Sequence, residues 1–558
     1  MQASAITAEK RSGREKATPV VLLAIIFLQV VVVLFWMTQK KNLFLDELTS
    51  FGNAQAYSFH AKNTTYINDS SAWEYESWVD NHLLKGQLEV SKEESLLSQP
   101  PQRVLKMLLM KRNYNGVLNI LMSVFAPDST SIYPGILFNI ILFFFTQLLL
   151  YRIVKEISGS CLPALGAVLM YGFSAMGVEM TLFIRFYSLV IFLLLGALRV
   201  HQKMWRTEKI GLFELQTAFS FLLLYLAFKN SELVFIFAGA LVLSFSLALV
   251  CSRRCKRALL YLLTAVPAGL YFAQKKNLID ILLHPAEYTG MGWPLGVMTK
   301  SVLEMNPLTL AVSFRRIMKW FAERLLGSRL VLYAFAGIVL ILFVVRLVQR
   351  KKNADQSQQK ECKNGSFFWI LFGVAAIYFL FCVLTSCPAN RYLSFIFPLV
   401  SMMLWCALSL TASDTRIRKW VLPACVALTL YGSFLQQVVN HDYAYLYSED
   451  EEAIRAVEDS GVENAIFIFE NDFFREHAEY DCVYLLPKSA QIYLVNADQN
   501  RIDADKCPDS VLIWALPGTD IDCYAEELTS GAYHTDILGK THASVIYLAR
   551  RITGMEEP

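Results

Sequence analysis

Apolar runs of about 20 residues recur along this chain, and no other feature constrains its fold as strongly. A run of that length crosses the hydrocarbon core of a bilayer as a helix, because only a helix satisfies every backbone N–H and C=O within its own segment. Such spans are predicted at 19–37, 132–151, 161–179, 182–198, 211–228, 231–250, 258–273, 329–348, 366–384, 392–411 and 420–438. With 55% hydrophobic and 18% charged residues over 558 positions, the chain has too little polar surface to cover a water-soluble globule of its size. Lipid must cover the rest. A formal net charge of +3 gives no basis for a nucleic-acid partner.

The charges follow a pattern. Every second connection is basic: Lys10, Arg11, Arg14 and Lys16; Arg152 and Lys155; Arg199 to Lys209; Arg253 to Arg257; Arg346 to Lys363; Arg416 to Lys419. By the positive-inside rule these connections face the cytoplasm, so residues 38–131, 274–328 and the tail from about 440 face outside. The run Val20 to Met37 is too long for a signal peptide and lacks a small-residue cleavage site after it, so it reads as the first anchor. The 11 cysteines show no zinc-ligand spacing, and Cys482, Cys507 and Cys523 share the outer tail, where an oxidising compartment would permit one disulfide.

The expected organisation is a cytoplasmic tail 1–18, a transmembrane domain 19–439 including the outer loop 38–131, and an extracytoplasmic domain 440–558. Within the outer loop, Val104, Leu105, Leu108, Leu109 and then Val117, Leu118, Ile120, Leu121, Val124 recur with helical period and predict surface helices. Tyr66, Trp73, Tyr75 and Trp78 in that loop read as interface-belt aromatics before they read as a sugar-binding face. In the tail, strands are predicted at Ala465–Phe469, Val483–Leu486, Gln491–Val495, Val511–Ala515 and Val545–Leu548, with helices near 449–460, 471–480 and 520–529. The fold class is therefore a polytopic α-helical membrane protein with a small C-terminal α/β domain. That domain has no Gly-rich phosphate loop and no nucleophile elbow.

Three outer-face features carry candidate chemistry. Asp46 and Glu47 stand just past the first span, where a carboxylate can act as a general base on a hydroxyl. Glu179 and Arg185 lie near the outer ends of two successive spans, with Tyr187 close by; ionisable groups at membrane depth are costly and tend to face a cavity or a partner. Asn390-Arg391-Tyr392 opens the tenth span, where an arginine can hold a phosphate through paired hydrogen bonds. Snorkelling to lipid headgroups is the simpler reading of each arginine taken singly. Together they supply a base for an acceptor and cations for a departing phosphate.

On these residues the chain resembles the GT-C glycosyltransferases, membrane enzymes that use polyprenyl-phosphate sugars, and within them the family 39, dolichyl-phosphate-mannose mannosyltransferase-like bacterial branch. The resemblance spans about residues 20–440 and rests on Leu45-Asp46-Glu47 with Ser50, Tyr171-Gly-Phe-Ser174 leading to Ile184-Arg185-Phe186-Tyr187, and Asn390-Arg391-Tyr392 before Phe397-Pro398. It implies that Asp46 is the catalytic base with Glu47 beside it. The substrates it implies are a polyprenyl-phosphate sugar donor and an envelope glycan, lipid or protein acceptor, met at the outer face of the cell membrane.

Where the branch carries His-Pro-Pro before the second span, this chain reads Arg112 to Val117. Where it carries Thr-His-Tyr-Tyr after the fifth, this chain reads Phe228-Lys229-Asn230-Ser231-Glu232, and Lys229 is the candidate replacement cation. A catalytically silent binder of lipid-linked glycan and a transporter are the competing readings; the second prefers internal repeats and midplane charges, and the sequence shows no clear repeat. Asp46 and Glu47 could ligate a divalent ion, but one adjacent carboxylate pair falls far short of a full oxygen shell, so no cofactor is assigned and metal dependence stays open.

Overall fold

The computed structural model describes residues 2–56, 78–93, 95–275, 277–284, 294–303, 306–352, 362–412, 415–441, 443–469, 481–496, 507–517 and 533–552. The chain divides into two compact units: residues 1–34, 139–182 and 186–443 form one, and residues 35–138, 183–185 and 444–558 form the other. The predicted loop 38–131 thus groups with the tail rather than with most of the spans.

In the first unit the predicted spans are helical over most of their length, the one expected from 182 starting only at Tyr187. Among the described residues of the whole chain, seven helices are long and apolar enough to cross a membrane: Thr18–Thr38, Ile132–Ser158, Ile210–Asn230, Val234–Cys251, Arg329–Arg346, Ser366–Leu384 and Lys419–Asn440. An eighth arises if Cys161–Gly172 and Ala175–Leu182, bent by 57° at their junction, count as one broken span. This makes the chain a multi-pass membrane protein. The helices Tyr187–Arg206 and Cys255–Lys275 do not reach the same standard, and the first carries Arg199, Lys203 and Arg206 in its C-terminal half. The span expected from 392 begins later: Asn390–Leu393 is a 3₁₀ turn, and the helix Phe397–Thr411 opens with Pro398 in its first turn, where a missing N–H costs nothing.

Small residues set the helix spacing in this unit. A Cβ on Gly166 would fall 2.4 Å from the buried Trp405 ring, so the helix Cys161–Gly172 lies against Phe397–Thr411 at a distance that only glycine allows. Ser401 donates its hydroxyl to the Ala167 carbonyl at 2.9 Å in the same seam.

The second unit is built on a six-stranded sheet. Its strands are β1 (Trp78–Asp80), β2 (Ala465–Phe469), β3 (Gln491–Asn496), β4 (Ser510–Ala515), β5 (Tyr533–Lys540) and β6 (Val545–Arg551), in the order β1-β3-β2-β4-β6-β5. The central pairs β3-β2 and β2-β4 are parallel, and the outer pairs are antiparallel. Strands buried on both faces read as continuous apolar runs, as Ala-Ile-Phe-Ile-Phe in β2 and Val-Leu-Ile-Trp in β4 do. Ile466, Ile468, Val511 and Ile513 form the core, with Trp78 packed against it.

Four of the five predicted tail strands are present. The fifth, Val483–Leu486, is instead part of a helical turn over 481–485, with Leu486 N–H bonding to the Cys482 carbonyl at 3.1 Å; a short apolar run has no period that separates helix from strand. The predicted helix near 449–460 is Glu451–Ser460, while those near 471–480 and 520–529, together with Tyr66, Trp73, Tyr75 and Cys523, lie outside the described residues. The loop helices appear as Pro101–Met110 and Asn113–Phe125, joined by an unforeseen one at Leu45–Gln55. The loop also supplies edge strand β1. Next to it Asn81 donates its amide to the carbonyls of Val483, Leu486 and Pro487 at 3.2, 3.1 and 2.9 Å.

Candidate functional site

The helix Leu45–Gln55 starts a few residues past the first span, and its first turn carries Asp46 and Glu47. Carboxylates are stabilised there by the unpaired N–H groups and the helix dipole. The two neighbours nevertheless have different surroundings.

Asp46 stays partly open, with 24% of its side chain exposed, and pairs at 3.3 Å with Arg185, whose side chain is 14% exposed. The Arg185 guanidinium also donates to the Asp46 backbone carbonyl at 2.6 Å and to the Ser50 hydroxyl at 3.2 Å. One guanidinium therefore grips both ends of the aspartate and the next turn of its helix, using the fixed fork of donors that lysine lacks.

Glu47 is fully buried. Its Oε1 accepts the Ile184 N–H at 2.8 Å, while its Oε2 accepts the Phe44 N–H at 2.9 Å and the Lys40 ammonium at 2.9 Å. Lys40, equally buried, also donates to the Tyr445 carbonyl at 2.5 Å. Burial lowers the Lys40 pKa from its ordinary value, and Glu47 opposes that shift. Around this pair Phe183 stacks on Tyr445 with ring centroids 4.2 Å apart, and Phe44 lies 5.6 Å from the same ring. Tyr484 belongs to the same surroundings: burial first, and the Glu47 charge second, push its phenol up to about 12.

A half-open cleft of about 190 Å³ adjoins Lys40, lined by Lys41, Asn42, Thr130, Ser131, Tyr133 and Tyr484. Two ammoniums, four hydroxyls and the Asn42 amide line it beside Ile132. It is smaller than the roughly 300–1,000 Å³ of drug-sized ligand pockets, a scale that suits a small polar group.

Behind it Asn42 donates its amide to Asp450 and Asp481 at 2.8 Å each. Asp450 also accepts from His542 Nδ1 at 2.7 Å, and Asp481 from the Thr541 hydroxyl at 2.7 Å. Burial raises the Asp481 pKa, and the hydrogen bonds from Asn42 and Thr541 restrain the rise. The ligand atoms of Asp450, Asp481 and His542 lie within 4.8 Å of one another, the spacing of a metal-ligand set among the described residues. Hydrogen bonds from Asn42, Thr541 and His542 compensate both carboxylates.

The remaining candidates lie in the first unit. Glu179, buried, pairs with Arg324 at 2.7 Å, a partner on the helix Pro307–Arg324 that sequence reasoning missed. Tyr187 is buried with its ring 4.7 Å from Phe186 and 6.1 Å from Phe395. The Arg391 guanidinium lies 5.4 Å from the Tyr392 ring centre, and the Lys229 ammonium 5.5 Å from that of Tyr225. Of the sequence candidates, then, Asp46, Glu47 and Arg185 form one constellation in the second unit. Lys40, Asp450, Asp481 and His542 were missed. Lys40 carried a local signal, as a lysine seven residues before Glu47 at the end of a span; the other three come from separate elements and have none.

No protein-family model matches the chain, and no curated protein is recognisably related to it in sequence. Solved structures do resemble it. ArnT from Cupriavidus metallidurans bound to undecaprenyl phosphate superposes with a TM-score of 0.54 at 11% identity, covering 97% of this chain and all of that one. The archaeal oligosaccharyltransferase AglB from Archaeoglobus fulgidus, in complex with an inhibitory peptide and a dolichol-phosphate, reaches 0.42 at 11% identity over 97% of this chain and 75% of that one. The first likeness establishes a shared fold, the GT-C fold, and at such identity establishes the fold alone.

Proposed function

We propose that this protein is a membrane glycosyltransferase that moves a sugar from a polyprenyl-phosphate donor to an acceptor hydroxyl at the outer membrane face. The observation that carries this reading is the Asp46–Arg185 constellation: a partly exposed carboxylate held at both ends by one guanidinium, on a GT-C fold. The lipid phosphate bound by the ArnT relative supports the donor class.

In the proposed reaction the acceptor oxygen attacks the anomeric carbon as Asp46 takes its proton. The bond from that carbon to the phosphate oxygen breaks, the phosphate departs on its lipid with the electron pair, and direct displacement inverts the anomeric centre. General-base assistance of this kind contributes about 10²–10⁴-fold. Arg391 and Lys229 are the proposed cations for the phosphate, with Tyr187, Tyr392 and Glu179 as neighbours of the bound donor. Arg185 is committed to Asp46 and serves mainly to hold it. The proposal includes a cytoplasmic N-terminus and an outer tail from 440. An envelope glycan, a lipid or a protein can each present the acceptor hydroxyl.

The test is incubation of the purified protein with radiolabelled polyprenyl-phosphate sugars and membrane acceptors, beside the Asp46→Asn variant. Label should pass to an acceptor with the parent protein and hardly at all with the variant. Label transfer at equal rates by both would remove Asp46 from the mechanism. Tight binding of lipid phosphate without transfer would favour the silent-binder reading, to which the substituted Arg112–Val117 and Phe228–Glu232 stretches point.

A further inference from the structure

We infer that Glu47 is the positioning residue of this site: through its buried ion pair with Lys40 it clamps the segment Phe183–Arg185 so that the Arg185 guanidinium meets Asp46. This deepens the proposed reading of Asp46 as the base and rests on it.

Four observations carry the inference. Glu47 has no exposed surface, and its two oxygens accept from three donors of the protein, so its carboxylate faces the protein interior and not a substrate. One of those donors, the Ile184 N–H, belongs to the residue next to Arg185 and lies 137 positions along the chain. Lys40 carries the clamp onward to the Tyr445 carbonyl, and Tyr445 holds a φ of +69°, a left-handed conformation costly for a residue with a Cβ. The Tyr445 ring in turn stacks on Phe183, so the clamped segment is gripped by a hydrogen bond to Glu47 at Ile184 and by a ring at the residue before it.

A wholly buried ion pair is a poor source of stability, since desolvating two charges offsets most of their attraction and apolar replacements are often as stable. Its geometric consequence is specific. With Ile184 anchored, Arg185 emerges beside Asp46 and Ser50. Without the anchor, a displacement of about 1 Å at the reacting groups is enough to cost on the order of 10²-fold in rate.

The full-length protein in detergent tests this with two variants. Glu47→Gln places an N–H₂ group among donors that need an acceptor. Lys40→Met combined with Glu47→Leu replaces the pair by apolar groups of similar size and leaves the Ile184 N–H unheld. Both variants should lower kcat by about 10–100-fold with little change in donor KM, because the base is misplaced while the phosphate cations are untouched. Limited trypsin digestion supplies a readout independent of turnover. The bond after Arg185 should resist cleavage in the parent and be cut early in both variants, with the rest of the digest unchanged. If the double variant recovers the parental thermal midpoint and also the parental kcat, the pair is merely structural and the inference is overturned. Parental kcat or an intact Arg185 bond in Glu47→Gln overturns it equally. Failure of the parent to transfer sugar from any donor would sink the functional proposal instead, and the trypsin result would still decide whether Glu47 holds Arg185.

Discussion

Asp46 and Arg185 are 139 positions apart in the chain, yet the arginine's guanidinium lies 3.3 Å from the aspartate's carboxylate and 2.6 Å from its backbone carbonyl. A residue held at both ends in this way keeps one orientation, which is what a general base requires of its surroundings. The neighbouring Glu47 is held more completely still, and in burial.

Replacing Asp46 by asparagine preserves size and much of the hydrogen bonding but removes proton acceptance, so turnover should fall by roughly 10²–10⁴-fold. The loss should sit in kcat. Arg391→Ala should instead weaken donor affinity, seen as a raised donor KM or a weaker lipid-phosphate binding isotherm. Equal effects of the two substitutions on kcat and KM would contradict the division of roles.

Gly166→Ala should destabilise the first unit. The added methyl would meet the buried Trp405 ring at 2.4 Å, and overpacking of this kind costs about 1–3 kcal/mol. A lowered thermal midpoint in detergent is expected. An unchanged midpoint would mean that the two helices can separate freely.

Asn81→Ala should loosen the second unit. Three carbonyls, those of Val483, Leu486 and Pro487, would lose a shared buried donor, at a cost of about 1–3 kcal/mol. For the same reason residues 444–558 expressed alone should be more protease-sensitive than the same residues co-expressed with 35–138, which bring β1 and Asn81. Equal resistance of the two preparations would show that the tail needs nothing from the loop.

Lys40 makes stability depend on alkaline pH in a specific direction. Burial lowers its pKa in the folded protein below the 10.5 of an ordinary lysine, so over the interval between those two values the unfolded chain binds the proton more strongly. Stability from this group is lost as pH falls through the lowered value and fully present above 10.5. Thermal midpoints measured across that interval should rise with pH more steeply in the parent than in Lys40→Met. A steeper rise in the variant would contradict the burial of the ammonium.

Hydropathy and charge were enough to foresee a multi-pass helical membrane protein with a small sheet region near its C-terminus, because spanning a bilayer and burying a parallel strand are satisfied by consecutive residues. The apolar run of Ala465–Phe469 and the helical period of Val117 to Val124 declare themselves locally. Where one element serves two environments, the local signal fails. The span predicted at 161–179 breaks by 57° beyond Gly172, and the apolar stretch at Val483 coils where a strand was expected. Strand β5 went unread because it lies at the sheet edge and its consecutive polar residues His534-Thr535-Asp536 give no apolar alternation, and β1 because three loop residues pair with a strand more than 400 positions away.

Asp46 and Arg185 could be named as candidates from the sequence, since each stands near the end of a predicted span and in a stretch that resembles GT-C enzymes. Their pairing could not, nor could the separation of Asp46 from Glu47 into an open carboxylate and a buried one. Adjacent residues in a helix point about 100° apart, so the environment of each side chain depends on which distant segment packs against that side of the helix. Only the tertiary structure decides that Lys40, Ile184 and Tyr445 close around Glu47 while Asp46 is left partly open beside Arg185.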